Sequence, residues 1–92
     1  MDLVRAHVFV EGRVQGVNFR AYTRDRARQA RVEGWVKNLS DGRVEAVFEG
    51  SRSAVQNLVS WCYSGPTSAR VDRVEVRWEQ PTGKEGGFTI IW

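Results

Sequence analysis

Cysteine occurs once in the 92 residues, at Cys62, so no disulfide within the chain can staple the fold and no all-cysteine metal site can form. Stability has to come from a packed core, and a reducing cytoplasm is the expected setting. Long apolar runs are missing as well. None approaches the roughly 20 residues a membrane helix needs, and the N-terminal stretch lacks the basic start, apolar middle and small-residue cleavage site of a secretory signal. A soluble, unexported protein with no membrane partner is expected. There is no internal repeat or low-complexity tract, and the two prolines and nine glycines punctuate short elements instead of marking a linker. A single domain over residues 1–92 follows, because two cores would each be undersized at this length.

What is present suffices for a packed globule: 41% hydrophobic residues, aromatics at 11% and charged residues at only 27%. Fourteen Lys and Arg against eleven Asp and Glu leave a net charge of +3, which favours anionic partners. That excess is concentrated. Between Arg13 and Arg31 six arginines face only Asp25, a local excess of five positive charges that leaves the rest of the chain at −2. Such a field would steer a small anion toward this stretch and weaken with added salt.

Hydrophobic period gives the element order. Residues Leu3 to Glu11 alternate, with Val4, Ala6, Val8 and Val10 on one face and Arg5, His7 and Phe9 on the other, a strand buried on one side. After a break over Gly12 to Asn18, Phe19, Tyr22, Thr23, Ala27 and Ala30 recur at helical spacing. Gly34 to Leu39 and Arg43 to Glu49 flank Ser40-Asp41-Gly42, a hairpin turn in which Gly supplies the positive φ. Ser51 can cap a second helix with Ala54, Val55, Leu58, Trp61 and Cys62 on its apolar face, stopped by Gly65-Pro66. Arg73 to Glu79 and Phe88 to Trp92 read as two more strands. The order β-α-β-β-α-β plus a terminal strand is satisfied by laying both helices on one face of a mainly antiparallel sheet, a ferredoxin-like α/β sandwich of the α+β class.

The break between first strand and first helix, Gly12-Arg13-Val14-Gln15-Gly16-Val17-Asn18-Phe19-Arg20, holds the most chemistry. Helix-start amides lack intrahelical partners and the dipole is positive there, so a glycine-flanked loop curling over this end can offer several donors to an anion. Arg20 would add a permanently charged, bidentate clamp. By spacing alone, glycines that merely turn the chain fit equally well. The pattern is neither a nucleotide P-loop nor a dinucleotide fingerprint.

This stretch resembles the first signature of the acylphosphatases, and Gly34-Trp35-Val36-Lys37-Asn38-Leu39-Ser40-Asp41-Gly42-Arg43-Val44 with Glu45 to Gly50 resembles their second. Gly65-Pro66, Ala69, Val71 and the closing Phe88-Thr89-Ile90 fit too, so the likeness covers nearly the whole chain. The resemblance implies a ferredoxin-like fold and hydrolysis of small-molecule acyl phosphates to a carboxylate and inorganic phosphate, with no metal and no cofactor. It further implies that Arg20 and the loop amides of Gln15, Gly16, Val17, Asn18 and Phe19 hold the phosphoryl group, and that Asn38 positions the attacking water. A monomer without a nucleic-acid partner is expected.

The residue chemistry agrees with that transfer. Phosphoryl transfer asks mainly for positioning and charge stabilisation, and a carboxylate, whose parent acid has a pKa around 4, departs without a general acid. Neither His7 nor Cys62 lies in a signature, which argues against a phospho-histidine or cysteine-phosphatase route. His7 reads as an incidental surface side chain, Cys62 as a buried structural thiol, and Trp35, Trp61, Trp78 and Trp92 as core or core-edge residues. Asn38-Leu39-Ser40 also fits a glycosylation acceptor, idle without export. Arg31 stands where these proteins often have glycine at the helix end, and Arg26 inside the apolar arc must snorkel to water. Two rival readings remain: an acylphosphatase-like accessory module that binds an anion without turnover, and an RNA-binding module. RNA-recognition domains carry aromatics at alternating third-strand positions, where this chain has the carboxylates Glu45 and Glu49.

Overall fold

The structure, a computed structural model, describes residues 2–92; Met1, the first residue of the expected 1–92 domain, lies outside them. Seven elements follow the anticipated order: β1 (Leu3–Arg13), α1 (Phe19–Gln29), β2 (Glu33–Asn38), β3 (Val44–Ser51), α2 (Arg52–Cys62), β4 (Arg70–Glu79) and β5 (Phe88–Ile91). They build one sheet of order β4-β1-β3-β2-β5. The pairs β1·β3, β1·β4 and β2·β3 are antiparallel and β2·β5 is parallel. Because β3 lies between β1 and β2, and β1 between β3 and β4, the fold is two interlocked β-α-β units with a strand inserted in each. The expected ferredoxin-like sandwich is observed.

Alternation in β1 does what its pattern predicts: Val4, Ala6, Val8 and Val10 are buried against the helices together with Val36, Val44, Ala46 and Phe48. Each fully buried side chain of Val or Phe size stabilises the fold by roughly 1.5–3 kcal/mol. The helices add Phe19, Ala27, Val55, Leu58 and Cys62 to that core. Ser51 caps α2, its side chain accepting from the Ala54 N–H. Burial pushes the Cys62 thiol up to about 12, so it is an inert apolar filler at neutral pH.

Some placements differ from the sequence reading. β1 runs two residues further, through a bulge at Glu11/Gly12 where Gly12 has φ 136°. A Cβ there would stand 2.1 Å from the Arg70 carbonyl oxygen, so only glycine permits the approach of β4. Tyr22 (50% exposed) and Ala30 face solvent although their spacing fits the apolar stripe, since α1 buries only Phe19, Thr23 and Ala27. Trp78 (53% exposed) and Trp92 (88%) are not core residues; β4 is an edge strand and Trp92 lies beyond the end of β5. Trp35 and Trp61 are partly buried, as expected, and the Arg26 guanidinium lies 4.9 Å over the Trp61 ring.

Arg31 adopts φ 58°, the left-handed conformation of a helix stop, while the Val32 N–H closes onto the Ala27 carbonyl at 2.8 Å. A β-carbon is disfavoured there by about 1 kcal/mol. Arg31→Gly is therefore expected to stabilise the protein by about 0.5–1 kcal/mol, read as a higher denaturant midpoint at unchanged slope. A lower midpoint would show that the arginine makes compensating contacts.

On the open face of the sheet His7 stacks on Phe9 with centroids 4.8 Å apart and bridges Glu45 (2.6 Å) and Glu79 (2.9 Å). Beside it Glu49, only 3% exposed, accepts hydrogen bonds from the Thr82 and Gly83 N–H groups and from Arg5, pinning the β4–β5 connection across the face. Burial alone would raise the Glu49 carboxyl pKa; those two amides and Arg5 outweigh it and hold it below the ordinary 4.5. A group depressed in the folded state contributes stability above its unfolded pKa and loses it as pH falls through the folded one. Unfolding free energy should thus fall below about pH 4.5, and Glu49→Gln should flatten part of that fall while costing about 1–3 kcal/mol at pH 7. Denaturation at a series of pH values measures both; an unchanged acid slope would remove Glu49 from this account.

Candidate active site

The segment between β1 and α1 is held from below by the buried side chains of Val14 and Val17. It turns through two residues of positive φ, Gly16 (74°) and Asn18 (64°). Asn18 takes the N-cap position of α1 but its side chain caps nothing. Among the described residues, no backbone carbonyl accepts from the amides of Gln15, Gly16, Val17, Asn18 or Phe19. Unpaired donors at the positive end of a helix form an anion cradle.

Two long-range bonds fix where this cradle sits. The Gln15 carboxamide donates from Nε2 to the carbonyls of Leu39 (2.7 Å) and Arg43 (2.9 Å), clamping the loop to the β2–β3 hairpin. The Ser68 hydroxyl donates to the Val17 carbonyl at 2.9 Å. Asn38 ends β2 immediately before that hairpin, so the Gln15 clamp also sets the loop against Asn38. A cavity of about 120 Å³ lies between them, lined by Gly16, Asn18, Phe19, Arg20, Asn38 and Trp92 among others. It is smaller than the roughly 300–1,000 Å³ pockets that enclose large organic ligands, a size suited to a compact anion.

The anticipated residues Arg20 and Asn38 thus meet at one cavity, together with Gly16, Asn18 and Phe19; the Gln15 side chain points to the hairpin and the Val17 side chain into the core. Among the described residues Arg20 pairs with no carboxylate; its guanidinium carbon lies 4.4 Å from the centroid of the Trp92 ring. The Oδ1 atom of Asn38 is buried with no hydrogen-bond partner among the described residues. An unsatisfied buried acceptor costs roughly 1–3 kcal/mol, and in native proteins strain, a catalytic role or a bound water accounts for such atoms. Depressions of about 420 Å³ between the two helices, at Arg26 and Trp61, and of about 560 Å³ beside Gly12 and Gly42, hold no comparable gathering of free donors and an orphan acceptor. Sequence reasoning missed the Gln15 side chain, Ser68 and Trp92. Each acts through a partner far along the chain, for which periodicity carries no signal. His7 lies on the opposite face of the sheet, as anticipated, and no group of three or more His, Cys, Asp or Glu among the described residues is arranged to hold a metal ion.

Known proteins resemble the chain over nearly its whole length. The acylphosphatase family model matches residues 6–90. The chain is 79% identical to an acylphosphatase of Chloroflexus aurantiacus over the full length of both chains, and 72% identical to one of Roseiflexus over all of this chain and 99% of the other. The crystal structure of the Bacillus subtilis acylphosphatase superimposes with a TM-score of 0.92 at 34% identity, covering 97% of this chain and 99% of that one. An orphaned acceptor, an uncommitted arginine and a loop of free amides therefore sit in a chain that belongs to the acylphosphatase family.

Proposed function

We propose that the chain hydrolyses small-molecule acyl phosphates at the cavity shared by Arg20 and Asn38. The in-plane N–H groups of Arg20 and the amides of Gln15 to Phe19 hold the phosphoryl oxygens, over whose three equatorial positions the charge is spread in the transition state. Asn38 orients the water. The terminal torsion of an asparagine is broad, so the carboxamide can turn its unpaired oxygen toward the cavity and accept one hydrogen of that water. The water oxygen attacks phosphorus, the bond from phosphorus to the acyl oxygen breaks, and the electron pair leaves with the carboxylate. The water proton passes to a phosphoryl oxygen, so no protein acid or base is required.

The observation that carries this reading is the buried Oδ1 of Asn38, without a partner and beside an arginine without a carboxylate. Hydrolysis of benzoyl phosphate with excess chelator tests it. Turnover should persist, and inorganic phosphate should inhibit competitively because it occupies the same cradle. Phosphate binding without turnover would instead mark an anion-binding accessory module, and turnover untouched by phosphate would move the site elsewhere.

A further inference from the structure

Six of the twelve arginines, Arg5, Arg24, Arg43, Arg52, Arg70 and Arg77, each reach a carboxylate within 3.1 Å. Arg20 is among the six that reach none among the described residues, and it is the one of them that lines the cavity, its guanidinium lying against the Trp92 ring at 4.4 Å. The difference matters at this position. A carboxylate would occupy the in-plane N–H groups and cancel the charge, leaving little to bind an anion. An aromatic face attracts the same cation through its quadrupole, yet takes up none of the five N–H donors.

Burial does not explain Trp92, which is 88% exposed. Strand pairing explains where it is. β5 runs parallel to β2 with Ile91 level with Lys37, so the next step brings residue 92 level with Asn38, the other candidate catalytic residue. Trp92 accordingly lines the same cavity as Arg20 and Asn38.

We propose that Trp92 is a positioning residue for Arg20: its indole holds the guanidinium in the cavity while leaving charge and donors free for the phosphoryl group. The inference rests on the site assigned above and deepens it. Because Arg20 grips the phosphoryl group in ground state, product and transition state alike, loss of the platform acts on binding. Trp92→Ala should raise KM for benzoyl phosphate and the inhibition constant of inorganic phosphate together, each by about fivefold, with kcat changing less. Trp92→Phe, which keeps an aromatic face, should restore most of that affinity. Trp92→Leu, which keeps apolar bulk without a π face, should behave like the alanine variant.

Phosphate inhibition is measured for all three and for Arg20→Ala. A wild-type inhibition constant in Trp92→Ala overturns the proposal, as does rescue by leucine equal to that by phenylalanine, which would make Trp92 mere packing. If Arg20→Ala itself leaves phosphate inhibition intact, the site assignment fails, and not only the role of Trp92.

Discussion

Arg20→Ala is expected to lower kcat/KM for benzoyl phosphate by about 10³–10⁵-fold, the range seen when an arginine that stabilises phosphoryl-transfer charge is removed. On the proposal above, three phosphoryl oxygens would meet a small cavity in which Arg20 is the one charged side chain among the described lining residues, so the guanidinium would be the one full positive charge facing them. Arg20→Lys should recover only part of the loss, because an ammonium restores charge but not the planar two-pronged fit. The same substitutions should leave the unfolding free energy within about 0.5 kcal/mol of wild type, since Arg20 has no carboxylate among the described residues to strand. Steady-state kinetics and denaturation on the same variants check both. Activity within tenfold of wild type in Arg20→Ala would sink the assignment.

Asn38→Ala should cost about 10²–10³ in kcat, the scale of losing one preorganised polar group at a reacting centre. Its stability should move the other way. The Oδ1 atom is buried and unpaired, so deleting it removes a desolvation penalty of roughly 1–3 kcal/mol, offset in part by the small void that follows. A slower enzyme that is also harder to unfold is the signature of an active-site group kept at the expense of stability. If the variant is inactive and also clearly less stable, Asn38 is holding the β2–β3 hairpin instead of orienting water.

The positive field read from the sequence has a structural home in α1 and the loop before it. Arg24 is partly spent on Asp25, and Arg28 donates from Nε to the Phe88 carbonyl at 3.1 Å, tying α1 to β5. Arg20 alone of these lines the cavity. The other arginines supply the long-range part of the field, which salt screens, while Arg20 supplies the short-range contact, which it screens far less.

Much of the fold was legible because burial on one face leaves a local trace. Period-two valines in β1, the Asp41-Gly42 turn and the Ser51 cap are each written within a few residues, whereas the helix stop at Arg31 was legible only through the family resemblance. The same locality limited the reading. Tyr22, Ala30, Trp78 and Trp92 carry apolar spacing or bulk yet face water, because what covers a residue depends on which neighbours the sheet order brings to it.

Nearby residues and the two long signatures carry the element order, the sandwich and the family, and through that resemblance they name Arg20 and Asn38 as the expected pair. Tertiary structure alone decided which charge stays uncommitted and which acceptor is left orphaned. It also decided that Gln15 clamps the loop to Leu39 and Arg43 and that Trp92 backs Arg20. The reason is physical: whether a polar group is satisfied depends on atoms within about 3.5 Å, and these come from strands whose register is fixed only when the whole sheet has paired.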